Sequence, residues 1–481
     1  MAFVDTTVVN VALPALQADL RATITDVQWV IEAYALFLGA LILVGGSLGD
    51  QFGRKRVFLT GVLWFTGASI FCGLATSAPV LIIGRALQGI GAAFLVPGSL
   101  AIISATFGDA ERGRAIGTWS GFSAITAAIG PVTGGWLVEH VSWRAVFFLN
   151  VPLAAAVLAL SVLFMQESRD PSRTSMIDWT GAVLAILGLG GIVFGLLEWP
   201  PLGARHPLVL GTLIMGTVLV GLLLIVERHA RNPMVPPHLF RSRTFTLVNV
   251  LTLLLYAALG VILFLAPLNL IQVQGYSATQ AGAALLPFPV IMFAMSRWSD
   301  GLVARAGSRL PLTAGPVIAA LGVALYARPG IGGSYWTTFF PAVVVLGFGM
   351  AVTVAPLTTT VMGAVDTRHA GVASGINNAV ARVAGLLAIA VFGVLLARTF
   401  EMRAAPSLDS LGLAAPSRAA IDRELTKMAG ADVEAVSPLD PPQRAAVRRI
   451  IDQAFVSGFR FVMLGAAVLA LLAAATGAAI R

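Results

Sequence analysis

The stretch GSLGDQFGRKR, residues 46–56, is a polar hinge dense in arginine and lysine, set between two long apolar runs. VQWVIEAYALFLGALILVGG precedes and overlaps it, and VFLTGVLWFTGASIFCGLAT follows it. Each run is close to the roughly 20 apolar residues that a helix needs to cross about 30 Å of hydrocarbon. The sequence therefore predicts a hairpin of two membrane spans. Short loops rich in Lys and Arg resist translocation, so a turn holding Arg54, Lys55 and Arg56 is expected on the cytoplasmic side. Taken alone, the basic triplet is equally well a simple topological anchor.

Composition agrees with a membrane chain. Over 481 residues, 57% are hydrophobic and only 11% charged, with a mean hydropathy of +0.88. Soluble domains run at about 25% charged residues, which excludes a soluble globule. The single Cys72 excludes intramolecular disulfides and cysteine metal clusters. His140, His206, His229, His238 and His369 are scattered at or near loops, and no metal site is expected. The net charge of +8 is arginine spread between apolar runs, which suits membrane topology better than nucleic acid. No GxxxxGK[ST] phosphate loop occurs, so ATP is not expected to drive the protein. Residues 1–16 lack the basic start and small-residue cleavage site of a signal peptide.

Fourteen spans are predicted. The first, residues 1–16, offers only about 24 Å of helix, so residues upstream of Met1 are expected. The next five lie at about 27–48, 57–75, 80–104, 115–138 and 146–165. Two more fall at about 179–197 and 208–226, and six at about 245–271, 280–299, 310–327, 336–357, 371–396 and 455–480. With the amino terminus inside, short inner loops hold Arg54, Lys55, Arg56, Arg112, Arg114, Arg169, Arg173, Arg228, Arg231, Arg241, Arg243, Arg305, Arg309 and Arg368. Short outer loops hold only Arg21, Arg144, Arg205 and Arg328, an asymmetry of the expected sign.

This gives an amino-terminal six-helix unit over 1–166, a two-helix insert over 167–243 and a second six-helix unit over 244–481. The last includes an extracellular loop, 398–454. ERGRAIGTWSGFSAITAAIGP, entering the fifth span, is similar to TRHAGVASGINNAVARVAGLL, entering the thirteenth. Repeated halves mark secondary transporters, with the substrate site between them. GLVARAGSR, residues 301–309, keeps the hinge poorly, with Ala304 in place of the acid, and is not assigned the same role.

Asp5 and Glu32 are the carboxylates placed well inside spans, and Arg85 and Arg382 the bases. Charges there cost at least about 2.5 to 3.5 kcal/mol on insertion scales and face a partner or a water-filled cavity. Glu32 and Arg85 each lie about five residues into spans that start outside, so they are expected to be able to meet. Two readings stand for each residue. Asp5 is a coupling acid or a polar residue at a helix end facing water. Glu32 is a coupling acid or one half of an outer ion pair. Arg382 contacts substrate, or packs against backbone carbonyls or Asn377 and Asn378. GPVTGG, residues 130–135, lets a neighbouring backbone approach closely or serves a more specific role.

Several of these stretches resemble the major facilitator superfamily. The hinge, through Gly46, Asp50, Gly53, Arg54, Lys55 and Arg56, resembles that family's loop between helices 2 and 3. FVDTTVVNVALP, residues 3–14, resembles the first-helix signature of its multidrug:proton antiporters. IIGRALQGIGAAF, residues 82–94, looks like its fourth-helix motif, whose arginine, here Arg85, is implicated in proton transfer. GPVTGG is similar to the antiporter motif at Gly130, Pro131, Gly134 and Gly135, although Thr126 replaces its first glycine. SWRAVFFLNVP, residues 142–152, matches the fourteen-span drug:proton antiporter branch. The resemblance implies an all-α polytopic membrane protein of the major facilitator fold, two six-helix bundles with two extra central helices. It also implies a hinge that latches the inner gate, with Asp50 near the start of the third helix.

The expected function is a proton-coupled secondary transporter that exports lipophilic small molecules or drugs by alternating access. Asp5, Glu32 and Arg85 would couple protons, and Trp29, Tyr34, Phe122, Phe264, Asn377 and Arg382 would line the cavity. The expectation includes no cofactor beyond the proton gradient, no nucleic-acid partner, a monomer, the inner (cytoplasmic) membrane and both termini cytoplasmic. With no acid inside the second-half spans, tight recognition of dications is not expected. Two other readings stay open: a dedicated exporter of one endogenous metabolite or lipid, and a non-transporting membrane receptor working through the long outer loop.

Overall fold

The computed structural model describes residues 1–107, 109–169, 178–230, 233–366, 370–436 and 439–480. Among them every regular element is a helix. The first half comprises α1 (Ala2–Asp19), α2 (Ile24–Phe52), α3 (Arg54–Gly73), α4 (Ala78–Thr106), α5 (Asp109–His140) and a broken sixth span made of α6 (Ala145–Phe148) and α7 (Asn150–Phe164). The insert is α8 (Trp179–Leu197), the short α9 (Trp199–Leu202) and α10 (Pro207–His229). The second half begins with α11 (Arg243–Leu268), continued by a π turn, Asn269–Val273. It goes on through α12 (Ala278–Leu285), α13 (Pro287–Asp300), α14 (Leu302–Ala306), α15 (Arg309–Leu325), α16 (Phe339–Gly363), α17 (Ala370–Asp409), α18 (Ala415–Glu424) and α19 (Pro441–Ala478).

Eleven of these helical units are long and apolar enough to cross a membrane. The remaining three predicted spans fall on the shorter apolar α15 and on α1 and α5. α1 carries Asp5, Asn10 and Gln17 within its length, which lowers its mean hydropathy, and several side chains of α5 lie outside the described ones. The two helices pack against each other and against the second half.

Within the first half α4 packs on α2 and α3, and α1 on α5. In the second, α11 packs on α17 and α19, and α15 on α16 and α19. The halves meet along α2 with α17, and along α5 with α12 and α13. α8 pairs with α10 where Gly188 and Gly191 lie against Gly216, and it lays its other face on α2 and α17. α10 itself stays at the edge, with Ile214, Met215, Val218, Leu222, Leu224 and Ile225 exposed to the bilayer.

Much of the segment 398–454 is helical. α17 runs on to Asp409 and α19 starts at Pro441, because ARTFEMRAAPSLD and the Asp440-capped PPQRAAVRRIIDQAF continue the helices past the apolar part. Between them, residues 410–436 reach the seam at the end of the bundle away from the hinge. There Gln17 of α1 donates to the carbonyl of Lys427 (3.2 Å), and Gln272 donates to Gln17 Oε1 (2.7 Å). Arg448 of α19 donates to the carbonyl of Gln272.

The α5 contacts explain GPVTGG. A Cβ on Gly130 would strike Thr7 of α1, and one on Gly134 would strike Val8. On the other face, a Cβ on Gly135 would lie 2.4 Å from the carbonyl oxygen of Ala278, and one on Gly282 would lie 2.2 Å from that of Pro131. The two halves thus touch backbone to backbone. Gly135→Leu is expected to cost at least about 1 to 3 kcal/mol through overpacking. Gly211→Leu, where nothing lies within 4 Å, should leave stability unchanged. The thermal midpoints of the two purified variants check this, and equal midpoints would contradict the close approach.

Candidate functional site

Asp5 sits one turn into α1 and is 1% exposed, while Arg85, two turns into α4, is fully buried. Arg85 Nη1 donates to Asp5 Oδ2 at 2.5 Å. Gln88, one turn along α4, donates to Asp5 Oδ1 (2.7 Å) and accepts from Arg85 Nη1 (2.7 Å). Asn150, the first residue of α7, donates to Asp5 Oδ1 (3.1 Å) and to Ser69 Oγ of α3 (3.0 Å). Arg85 Nε donates to the carbonyl of Val30 (3.0 Å), and the guanidinium lies over the Tyr34 ring at 4.2 Å. A carboxylate, a guanidinium, two amides and a hydroxyl from α1, α3, α4 and α7 therefore form one dry polar cluster. Such a group is stable only because nearly every member has partners.

The predicted pairing of Glu32 with Arg85 is not what forms. Arg85 reaches α1, and Asp5 takes it. Nor does Asp5 face water at a helix end. Glu32 instead lies on the α2 stripe that faces α17, one turn from Gln28, which donates to the carbonyl of Ile389, and one turn from Leu36, which packs on Leu386 and Ala390. It is fully buried, and neither carboxylate oxygen has a hydrogen-bond partner. Glu32 is thus a lone carboxyl in the seam between the halves.

The candidate cavity residues separate in the same way. Trp29 lies against Phe194 of α8, the rings tilted at 52° with centroids 6.0 Å apart, so it packs on the insert. Phe264 is buried in the second-half core, and Phe122 is exposed. Asn377 of α17 donates to Asn249 Oδ1 (3.2 Å) and Thr252 Oγ1 (2.7 Å) of α11, and Asn378 to the carbonyl of Ser374. Neither meets Arg382, whose Cβ lies beside Gly39 of α2 and whose Nε is buried without a partner. Tyr34 and Arg382 are electrostatic neighbours. Tyr34 and Arg382 therefore join the polar cluster to the seam.

At the hinge, Asp50 belongs to the last turn of α2, not to the start of α3. Arg54 donates to its Oδ1 through Nε (2.9 Å) and Nη2 (2.8 Å). The acid at the amino end of α3 is Glu167, just beyond α7. Its carboxylate accepts from the backbone N–H of Lys55 (3.0 Å) and of Arg56 (3.1 Å), where a helix presents unsatisfied donors and a positive dipole. Lys55 Nζ donates to the carbonyl of Met165 (2.6 Å). Gly53 turns the chain at φ +109°, and a Cβ there would strike the Glu167 carboxyl, so glycine is required twice over. Gly46 lies against Pro97 of α4. Arg54, Lys55 and Arg56 thus tie the end of α2 to Val162, Met165, Glu167 and Ser168 around the end of α7.

Sequence reasoning missed Gln88, Ser69, Asn150 and Glu167. Gln88 and Asn150 stood inside quoted motifs as lone polar residues in apolar runs, which was the available signal. Glu167 had none, since only folding brings it 112 residues back to Lys55. Arg173, Arg231, Arg368 and His369 lie outside the described residues.

A helical membrane bundle of paired halves, with a buried ion pair in one half and a lone acid in the seam, is the architecture of a secondary transporter. The Major Facilitator Superfamily model matches residues 1–389, and the chain belongs to that family; it is a transporter, not an enzyme. It is 34% identical over 410 residues to the multidrug resistance protein Stp of Mycobacterium tuberculosis (strain CDC 1551 / Oshkosh), covering 85% of this chain and 76% of that one. It is 32% identical to the tetracenomycin C resistance and export protein of Streptomyces glaucescens, covering 99% and 88%. The puromycin resistance protein pur8 of Streptomyces alboniger is 34% identical, covering 81% and 78%. Among solved structures, a bacterial homologue of the human lysosomal transporter Spinster superposes with a TM-score of 0.64 at 17% identity, covering 100% and 95%, a likeness of fold.

Arg85→Ala would leave Asp5 charged, buried and without its counter-ion, a loss of about 3 to 5 kcal/mol. The pairwise part should shrink when Asp5→Asn is added. A double-mutant cycle on unfolding in detergent measures it, and additive losses would mean that the two residues do not interact.

Proposed function

We propose that the protein is a proton-coupled exporter of lipophilic small molecules, working by alternating access in the cytoplasmic membrane. Both termini and the Arg54–Arg56 hinge would lie in the cytoplasm, and the chain would act as a monomer without a cofactor. Support for export comes from relatives whose names are those of resistance and export proteins. Support for proton coupling comes from one observation above the others: two buried carboxyls in opposite settings. Asp5 has three donors aimed at it and suits a carboxylate. Glu32 has none, and ionising it in the closed seam would leave an uncompensated charge.

In the cycle that this reading implies, Asp5 or Glu32 takes a proton from outside, and protonation of Asp5 releases Arg85 from its counter-charge. Opening the hinge end of the seam exposes the cavity beside Tyr34 and Arg382 to the cytoplasm and inner leaflet. Substrate entering there favours loss of the proton inward. The cross-half hydrogen bonds of Gln17, Gln272 and Lys427 hold the opposite end shut in this state.

Adding lipophilic cations and neutral drugs to the purified protein in detergent should release protons. Asp5→Asn or Glu32→Gln should abolish the release in whichever residue exchanges the proton, with binding retained. No release from wild type with any compound would overturn proton coupling and leave a dedicated exporter of a metabolite or lipid. Asp50→Asn should weaken the state closed at the hinge end by loosening Arg54. Distance measurements between labels on α4 and α16 read this, and an unchanged distribution would contradict it. Replacing residues 411–438 by a short Gly/Ser linker should leave transport in place while speeding opening at the capped end; complete loss of transport would assign that segment an essential role.

A further inference from the structure

The end of α10 and the turn that follows the insert build a second polar feature, remote from the seam. A concavity of 560 Å³ is lined by Arg228 and His229 from the last turn of α10 and by Pro237, His238, Phe240 and Arg241 from the 3-10 turn Pro237–Arg241. Arg228 and Arg241 stand 13 positions apart in sequence, yet folding brings them to one site. Neither has a hydrogen-bond or carboxylate partner among the described residues. Among the described residues no acid lines the site. The neighbouring Glu227 turns the other way, is buried, and accepts from the backbone N–H of Val235 (3.1 Å).

The position of this concavity argues for its ligand. α10 exposes apolar side chains around most of its length, from Ile214 to Ile225, so lipid acyl chains run along it. Arg228 and His229 mark where that apolar surface stops, which is the headgroup level. Phe240, 39% exposed, sits at the same level as an apolar anchor beside the two guanidiniums. A topological anchor needs only positive charge somewhere in the loop. It does not need two unpaired arginines converging on a concavity at the foot of a lipid-facing helix.

We propose that this concavity binds the phosphodiester headgroup of an anionic phospholipid. Arg228 and Arg241 share the phosphate oxygens, whose geometry suits the guanidinium fork. The acyl chains follow the exposed face of α10, and Phe240 packs beside them. Because α8 rests on both α2 and α17, a lipid held at the foot of α10 bears on the insert that lies across both halves.

The test is lipid binding to the purified full chain in detergent, followed by native mass spectrometry during titration with phosphatidylglycerol or phosphatidylcholine. Wild type should retain phosphatidylglycerol in preference to phosphatidylcholine, with the preference falling as salt rises. Arg228→Gln with Arg241→Gln should weaken phosphatidylglycerol binding by at least about tenfold. Arg309→Gln, a basic residue outside the concavity, should leave binding unchanged. Millimolar inorganic phosphate should not displace the lipid. Equal retention of both lipids, an equal loss in Arg309→Gln, or displacement by inorganic phosphate would each overturn the proposal, the last in favour of a free-phosphate site. If the double variant does not fold, the single charge reversal Arg241→Glu takes its place and is expected to lose the same preference.

Discussion

A carboxylate and a guanidinium held away from water have to satisfy each other, and the fold is arranged around the place where Asp5 and Arg85 do so. The pair alone would leave lone pairs and N–H groups unmet. Gln88 closes a ring with both partners, Asn150 adds a donor from the sixth span, and Ser69 supports both amides while its own hydroxyl donates to the carbonyl of Phe147. Four helices are thereby fixed in depth and rotation at one level of the membrane, where apolar packing alone specifies neither. The break between α6 and α7 falls beside this cluster and brings Asn150 to it at a helix start.

The contrast with Glu32 follows from the geometry of α2. Its Tyr34 face turns toward Arg85 and the first half, while the Gln28, Glu32, Leu36 and Gly39 face turns toward α17. Residues two positions apart on one helix thus serve different partners. The charged cluster is internal to one half. The Glu32 carboxyl lies where the halves meet, so its surroundings depend on whether the seam is closed.

Much of this was legible in the sequence. Apolar run length placed a helix at every predicted span, and the resemblance pointed to Asp5, Arg85 and the hinge. Depth along a span was also readable, since rise per residue is fixed. What could not be read was rotation. Glu32 and Arg85 were judged able to meet because they share a depth, yet they project toward different neighbours. The same limit misplaced Trp29, which faces the insert, and hid Glu167, whose role depends on a tertiary contact with no local pattern. Asp50 was displaced for a smaller reason: α2 runs past its apolar part to Phe52 and stops only where Gly53 takes φ +109°.

The bare contact between α5 and α12 has a mechanical consequence. Interlocked side chains resist relative motion because each must change rotamer before its neighbour can pass. Where Gly135 meets Ala278 and Gly282 meets Pro131 there are few side chains to interlock, and two smooth backbone ridges bear directly on each other. Such a surface behaves as a bearing: it can carry load between two rigid bodies while they tilt, with little repacking at the line of contact. The small residues of α5 thus give the protein a fulcrum.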